Sequence, residues 1–114
     1  MFNLKSASLA IAFSVAAIGV VPAHASTVDI IRPHSSRYYS YTADQGEVFA
    51  ALLSGDGDSD LDLVITNQNH RVVCTSQHFG DDEYCRIRSP NGGTYTIEVQ
   101  NLGNDANVFM MDVN

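Results

Sequence analysis

Lysine is almost missing from this chain. Lys5 is the single one, and six Lys and Arg together face 13 Asp and Glu, for a formal net charge of −7. All the acids lie beyond residue 26, so that region repels nucleic acid and anionic lipid, and a nucleic-acid partner is not expected. Cysteine is also scarce, with only Cys74 and Cys85. There is no Cys-x-x-Cys spacing and neither thiol has an adjacent histidine, which argues against a redox or zinc pair. The longest apolar run, Leu9 to Val21, is about 13 residues, short of the roughly 20 that span hydrocarbon, so no membrane span is expected in the mature chain. A sustained 3.6-residue period, internal repeats, low-complexity tracts and linkers are all absent after residue 26.

What is present begins with that apolar run. Lys5 precedes it and Pro22 and the small-residue box Ala23-His24-Ala25 follow it, which is the pattern of a secretory signal peptide over residues 1–25, cleaved between Ala25 and Ser26. The expected location is the periplasm or the outside of the cell. Residues 26–114 then form one small acidic domain. In an oxidising compartment an even cysteine count favours a Cys74–Cys85 disulfide. Placed in adjacent strands of an antiparallel hairpin, 74 opposite 85 also sets 72 opposite 87.

Short runs rich in Val, Ile, Thr and Tyr recur between Gly, Asn, Asp and Pro clusters. Strands are expected at 37–42, 47–54, 61–66, 71–76, 83–88, 94–100 and 107–113, with a short edge strand around Val28 to Ile31. The fold class is therefore all-β: a small antiparallel two-layer sandwich, jelly-roll-like, of about seven or eight strands. Tyr95, Ile97 and Val99 share one strand face, as do Leu61, Leu63 and Ile65. Residues 47–54 are apolar on both faces, the pattern expected of a strand central to a packed layer.

Gly55 to Ile65 reads Gly-Asp-Gly-Asp-Ser-Asp-Leu-Asp-Leu-Val-Ile. Asp56, Asp58, Asp60 and Asp62 make a hard-oxygen cluster, and Ca²⁺ is the cofactor such a cluster would take. It is not an EF-hand: Leu61 stands where that loop needs glycine and Asn67 where it needs glutamate. Any site must be completed by Asp81, Asp82 and Glu83, or by Asn101, Asn104 and Asp105. The alternative is an Asp-Gly turn whose carboxylates accept backbone N–H bonds. The turn is preferred, because four close carboxylates repel unless something neutralises them.

Four motifs occur in order: Tyr38-Tyr39-Ser40-Tyr41-Thr42, Gly46-Glu47, Asp60-Leu61-Asp62-Leu63 and Gly93-Thr94-Tyr95-Thr96-Ile97. Together they resemble the bacterial pre-peptidase C-terminal domain, across roughly residues 36–113. That resemblance implies a β-sandwich without catalytic activity, of the kind appended to secreted peptidases, with a role in secretion, maturation or substrate contact. Val64 stands where the family commonly has an aromatic. The module is expected to stand alone here.

Catalysis is not expected. The histidines His34, His70 and His78 are scattered, and no Gly-x-Ser-x-Gly elbow occurs. Candidate contact residues are Tyr39 and Tyr41, which share a strand face, and Phe79 beside Gly80. The expected role is a secreted binding or accessory module with a protein or polysaccharide ligand. A self-associating surface or matrix component is the alternative, as is an inhibitor or chaperone of a secreted peptidase.

Overall fold

The computed structural model describes residues 18–20, 25–57 and 60–114. The expected signal peptide lies outside the described residues apart from Ile18–Val20 and Ala25, and Asp58 lies outside them too. The described residues form nine strands: β1 (Ile18–Val20), β2 (Ala25–Ile31), β3 (Ser35–Ala43), β4 (Val48–Ser54), β5 (Leu61–Thr66), β6 (Val72–Ser76), β7 (Glu83–Arg88), β8 (Gly93–Asn101) and β9 (Asn107–Val113). They make a two-layer sandwich. One sheet has the order β1-β3-β8-β5-β6 and the other β2-β9-β4-β7. All pairings are antiparallel except that of β1 with β3.

Alternation explains which residues meet between the sheets. β8 turns Tyr95, Ile97 and Val99 inward, β5 turns in Leu61, Leu63 and Ile65, and β9 turns in Phe109, Met111 and Val113. Phe49 sits at the centre of the aromatic packing, its ring 4.6 Å from that of Tyr41 and 5.1 Å from that of Tyr95. Each such side chain fully buried stabilises the fold by roughly 1.5–3 kcal/mol. The β7–β8 turn depends on Gly92 and Gly93 at φ 70° and 126°, where a side chain would be strained.

Two expectations are corrected. β4 does lie inside its sheet, between β9 and β7, but only its Phe49-Ala51-Leu53 face is packed. A two-layer sandwich has no third layer, so Val48 and Leu52 project outward, 40% and 43% exposed. The disulfide is present, with Cα atoms 6.1 Å apart, yet Cys74 and Cys85 are not partners in a hairpin. β6 pairs with β5 and β7 with β4, so the bridge joins the two sheets at one edge of the sandwich. Both cysteines occupy inward positions. The chain between them changes sheets through a crossing that includes Gly80 at φ 114°.

Candidate functional site

The aspartate loop meets the β6–β7 crossing and the start of β9. Asp56 Oδ2 accepts from Val108 N at 2.9 Å, Asp60 Oδ1 from Gly80 N at 3.3 Å, and Asp81 Oδ2 from Gly57 N at 2.6 Å and Asn107 Nδ2 at 3.0 Å. Asn107 Oδ1 in turn accepts from Asp56 N at 3.0 Å. The side chains thus staple three loops to one another. Gly55 is fitted to this packing: a Cβ there would stand 2.7 Å from Asp81 Oδ2 and 2.8 Å from Asn107 Oδ1. Asp62, on β5, is buried, which raises its pKa, and Asp60 and Glu83 add to the rise. Asp81 Oδ1 is buried without a partner. Among the described residues, no three His, Cys, Asp or Glu side chains converge in a group that could hold a metal ion.

One constellation has the composition of a triad. Ser76 Oγ lies 3.3 Å from His78 Nδ1 and 2.5 Å from Glu83 Oε1, and His78 Nδ1 lies 3.1 Å from the same Oε1. The geometry is not that of a nucleophile and its base. Serine and carboxylate both crowd Nδ1, whereas a triad sets the serine on one ring nitrogen and the acid on the other. Ser76 is buried, and its hydroxyl also accepts from Tyr84 N at 3.1 Å. The group fastens the crossing: Glu83 Oε1 takes three donors while Oε2 is buried without a partner.

Tyr39 and Tyr41 are packed in the interior rather than presented for stacking. The Tyr39 ring meets Phe109 edge-on at 6.4 Å and its hydroxyl donates to Asp29 Oδ2 at 2.7 Å. Tyr41 donates to Glu47 Oε2 at 2.5 Å, and burial followed by that carboxylate pushes it up to about 12. Burial alone would raise Asp29, but the Tyr39 hydroxyl, the Ile30 N–H and Arg37 outweigh it and hold the carboxyl below its ordinary value. Phe79 is fully exposed at the crossing. His34, His70 and His78 are all exposed, and the first two adopt positive φ in turns.

The two outer faces of the sandwich differ in chemistry. On the five-stranded sheet the outward side of β3 and β8 is polar, centred on Glu98, whose Oε2 accepts from Ser36 Oγ at 2.8 Å, Gln100 Nε2 at 2.9 Å and Tyr38 OH at 3.4 Å. On the four-stranded sheet the outward positions are largely apolar: Val28 and Ile30 from β2, Val108 and Met110 from β9, Val48 and Leu52 from β4, and Tyr84 from β7. Register places them side by side, Val28 opposite Met110, Ile30 opposite Val108, and Leu52 between Asp112 and Tyr84. A groove of about 450 Å3 runs along Leu52, Ser54, Tyr84 and Met110, with His78, Asp82 and Asp112 also in its lining. Sequence reasoning missed this surface. The signal was there in β4 and β9, which are apolar at successive positions although a strand of a two-layer fold buries one face.

No family model and no curated protein matches the chain. Solved structures do. The pre-peptidase C-terminal domain of a collagenase from Bacillus anthracis superposes with a TM-score of 0.78 at 9% identity, covering 89% of this chain and 98% of that one. A surface-associated copper-binding protein from Methylomicrobium album BG8 gives 0.70 at 8% identity, covering 87% and 98%. A periplasmic inhibitor of g-type lysozyme from Aeromonas hydrophila gives 0.62 at 16% identity, covering 88% and 98%. At these identities the likeness shows the fold, a β-sandwich shared by proteins with different tasks.

Proposed function

We propose that the protein is an exported, non-catalytic binding module that meets its partner through the outer face of the four-stranded sheet. The observation that carries this reading is the patch of exposed Val28, Ile30, Leu52, Tyr84, Val108 and Met110 on one outer face, while the β3–β8 part of the opposite face is polar and internally hydrogen-bonded. A soluble domain gains nothing by leaving such side chains in water, and covering them would return roughly 25 cal/mol per Å2 of apolar area. The inter-sheet disulfide supports export, since such bridges persist in oxidising compartments. The likeness to a peptidase-appended domain and to a lysozyme inhibitor favours a secreted hydrolase as the partner, which the module would assist or restrain.

Within this reading the carboxylate loop is the place where Ca²⁺ would act. Asp81 Oδ1, buried and unpartnered, is the acceptor a hard cation would meet, and Asp56, Asp60 and Asp62 are further carboxylates along the same loop in sequence, although no three of these side chains converge among the described residues. Bound Ca²⁺ would neutralise their mutual repulsion. A melt in EDTA against millimolar Ca²⁺ tests it: the midpoint rises with calcium in the wild type and not in Asp81→Asn, or the loop is a structural turn alone.

The surface itself is tested by photo-crosslinking in the native host, with the crosslinking residue at Leu52 or at Thr96 on the polar face. A discrete adduct from position 52 alone is expected. Adducts from position 96 alone, or equally from both, would overturn the assignment, and an adduct of twice the chain mass would identify a second copy as the partner.

A further inference from the structure

We infer that the groove on this face takes a basic polypeptide segment, an apolar side chain resting on Leu52, Tyr84 and Met110 while a neighbouring Lys or Arg pairs with Asp82 or Asp112. The inference rests on the reading of the face as a contact surface and adds the chemistry of the partner. Two adjacent rows cross the sheet here. In one, Asp112 of β9, Leu52 of β4 and Tyr84 of β7 stand in register; in the next, Met110 faces Ser54, whose Oγ donates to Asp82 Oδ1 at 3.1 Å. The first row thus sets a carboxylate directly beside an apolar side chain, and in the second Ser54 stands between Met110 and Asp82.

Among the described residues no cation is paired with either carboxylate. The ion pair among those residues is Arg37 with Asp29, and His78 contacts Glu83. Asp82 and Asp112 instead take neutral hydroxyls, from Ser54 and Ser26. Arg86 and Arg88 project from β7 farther along the face, opposite Ala50 and Val48, and do not line the groove. The only histidine in the lining, His78, has its Nδ1 turned to Glu83. A concave apolar floor with unpaired acids at its margin, on a chain already strongly negative, selects a cationic and partly apolar occupant. An acidic or purely polar segment meets repulsion or an unfilled floor.

The test is calorimetric titration of the exported, disulfide-intact protein with three synthetic peptides of equal length, built from repeats of Arg-Leu-Lys, Glu-Leu-Glu or Arg-Ser-Lys. The first is expected to bind and the others to bind at least about tenfold more weakly, the size of effect that one small anchor contributes. Asp82→Asn and Asp112→Asn should each weaken the first peptide by about two- to fivefold, in the range of exposed ion pairs, and added salt should do the same. Leu52→Ser should weaken it by about tenfold. Thermal midpoints close to wild type would show that these exposed variants fold. If the Glu-Leu-Glu peptide binds as tightly, the basic class is wrong while the contact face stands. If the Arg-Ser-Lys peptide binds as tightly and Leu52→Ser changes nothing, the groove is not the site. Absence of binding by every peptide overturns the inference, while the contact face is judged by its crosslinks.

Discussion

The two outer faces of this sandwich are made in the same way, and the β3–β8 part of one holds chemistry opposite to that of the other. Both consist of alternate residues of strands whose other residues form the common core, and neither is needed to close it. On the five-stranded side those residues answer one another, Ser36, Tyr38 and Gln100 converging on Glu98. On the four-stranded side Val28, Leu52, Tyr84 and Met110 stand exposed. The core fixes the inner face of each strand and leaves the outer one free, so the composition of an outer face reports on what it meets.

Leu52 and Leu53 bring this contrast to one strand, exposed at 43% and 2% respectively. Leu53→Ala should destabilise by about 2–5 kcal/mol in urea unfolding, as cavities in packed interiors do, while Leu52→Ala should change stability by no more than about 0.5 kcal/mol. Equal losses would mean that the outer face is itself packed in the folded protein, and the contrast between faces would collapse.

Breaking the inter-sheet clamp comes next. The double variant Cys74→Ala, Cys85→Ala should lose about 3 kcal/mol for a loop of this length, since it frees the unfolded chain. It should leave the relative affinities of the three peptides unchanged, because neither cysteine lines the groove. A reordering of those affinities would show that the clamp shapes the contact face.

Asp62 offers a smaller effect on the polar side. Burial holds its carboxyl above the ordinary value of 3.8, with Asp60 and Glu83 contributing, so the folded state binds this proton more tightly than the unfolded chain. That contribution is fully present below 3.8 and is lost as pH rises through the folded value. In EDTA, Asp62→Asn should therefore raise the midpoint at pH 7 and match wild type near pH 3. A lower midpoint at pH 7 would show that the ionised form is held by favourable partners.

Much of the fold is legible along the chain because the inner faces obey a period of two: Leu61, Leu63 and Ile65 on β5 and Tyr95, Ile97 and Val99 on β8 lie where alternation puts them. The cysteines could be paired from compartment and count. Their placement across two sheets could not, since antiparallel spacing permits a hairpin equally well and only the partners of β6 and β7 decide. The same limit hides the staples of the aspartate loop, where Asp81 meets Gly57 and Asn107 from distant segments. The apolar outer face was visible as a surplus, in β4 and β9, but a surplus reads as deeper burial until the number of layers is known. Three tyrosines on β3 posed a related choice, and the fold sends Tyr39 and Tyr41 inward and leaves Tyr38 outside against Glu98.

The most direct test of the contact face is a two-dimensional amide NMR titration of the oxidised protein with the Arg-Leu-Lys peptide, followed on both sheets at once. The account predicts saturable shifts concentrated in the outward residues of β4, β7 and β9, from Leu52, Tyr84 and Met110 outward, with β3 and β8 unmoved. Shifts centred on Ser36, Tyr38, Glu98 and Gln100 instead would place the binding surface on the polar sheet and contradict it.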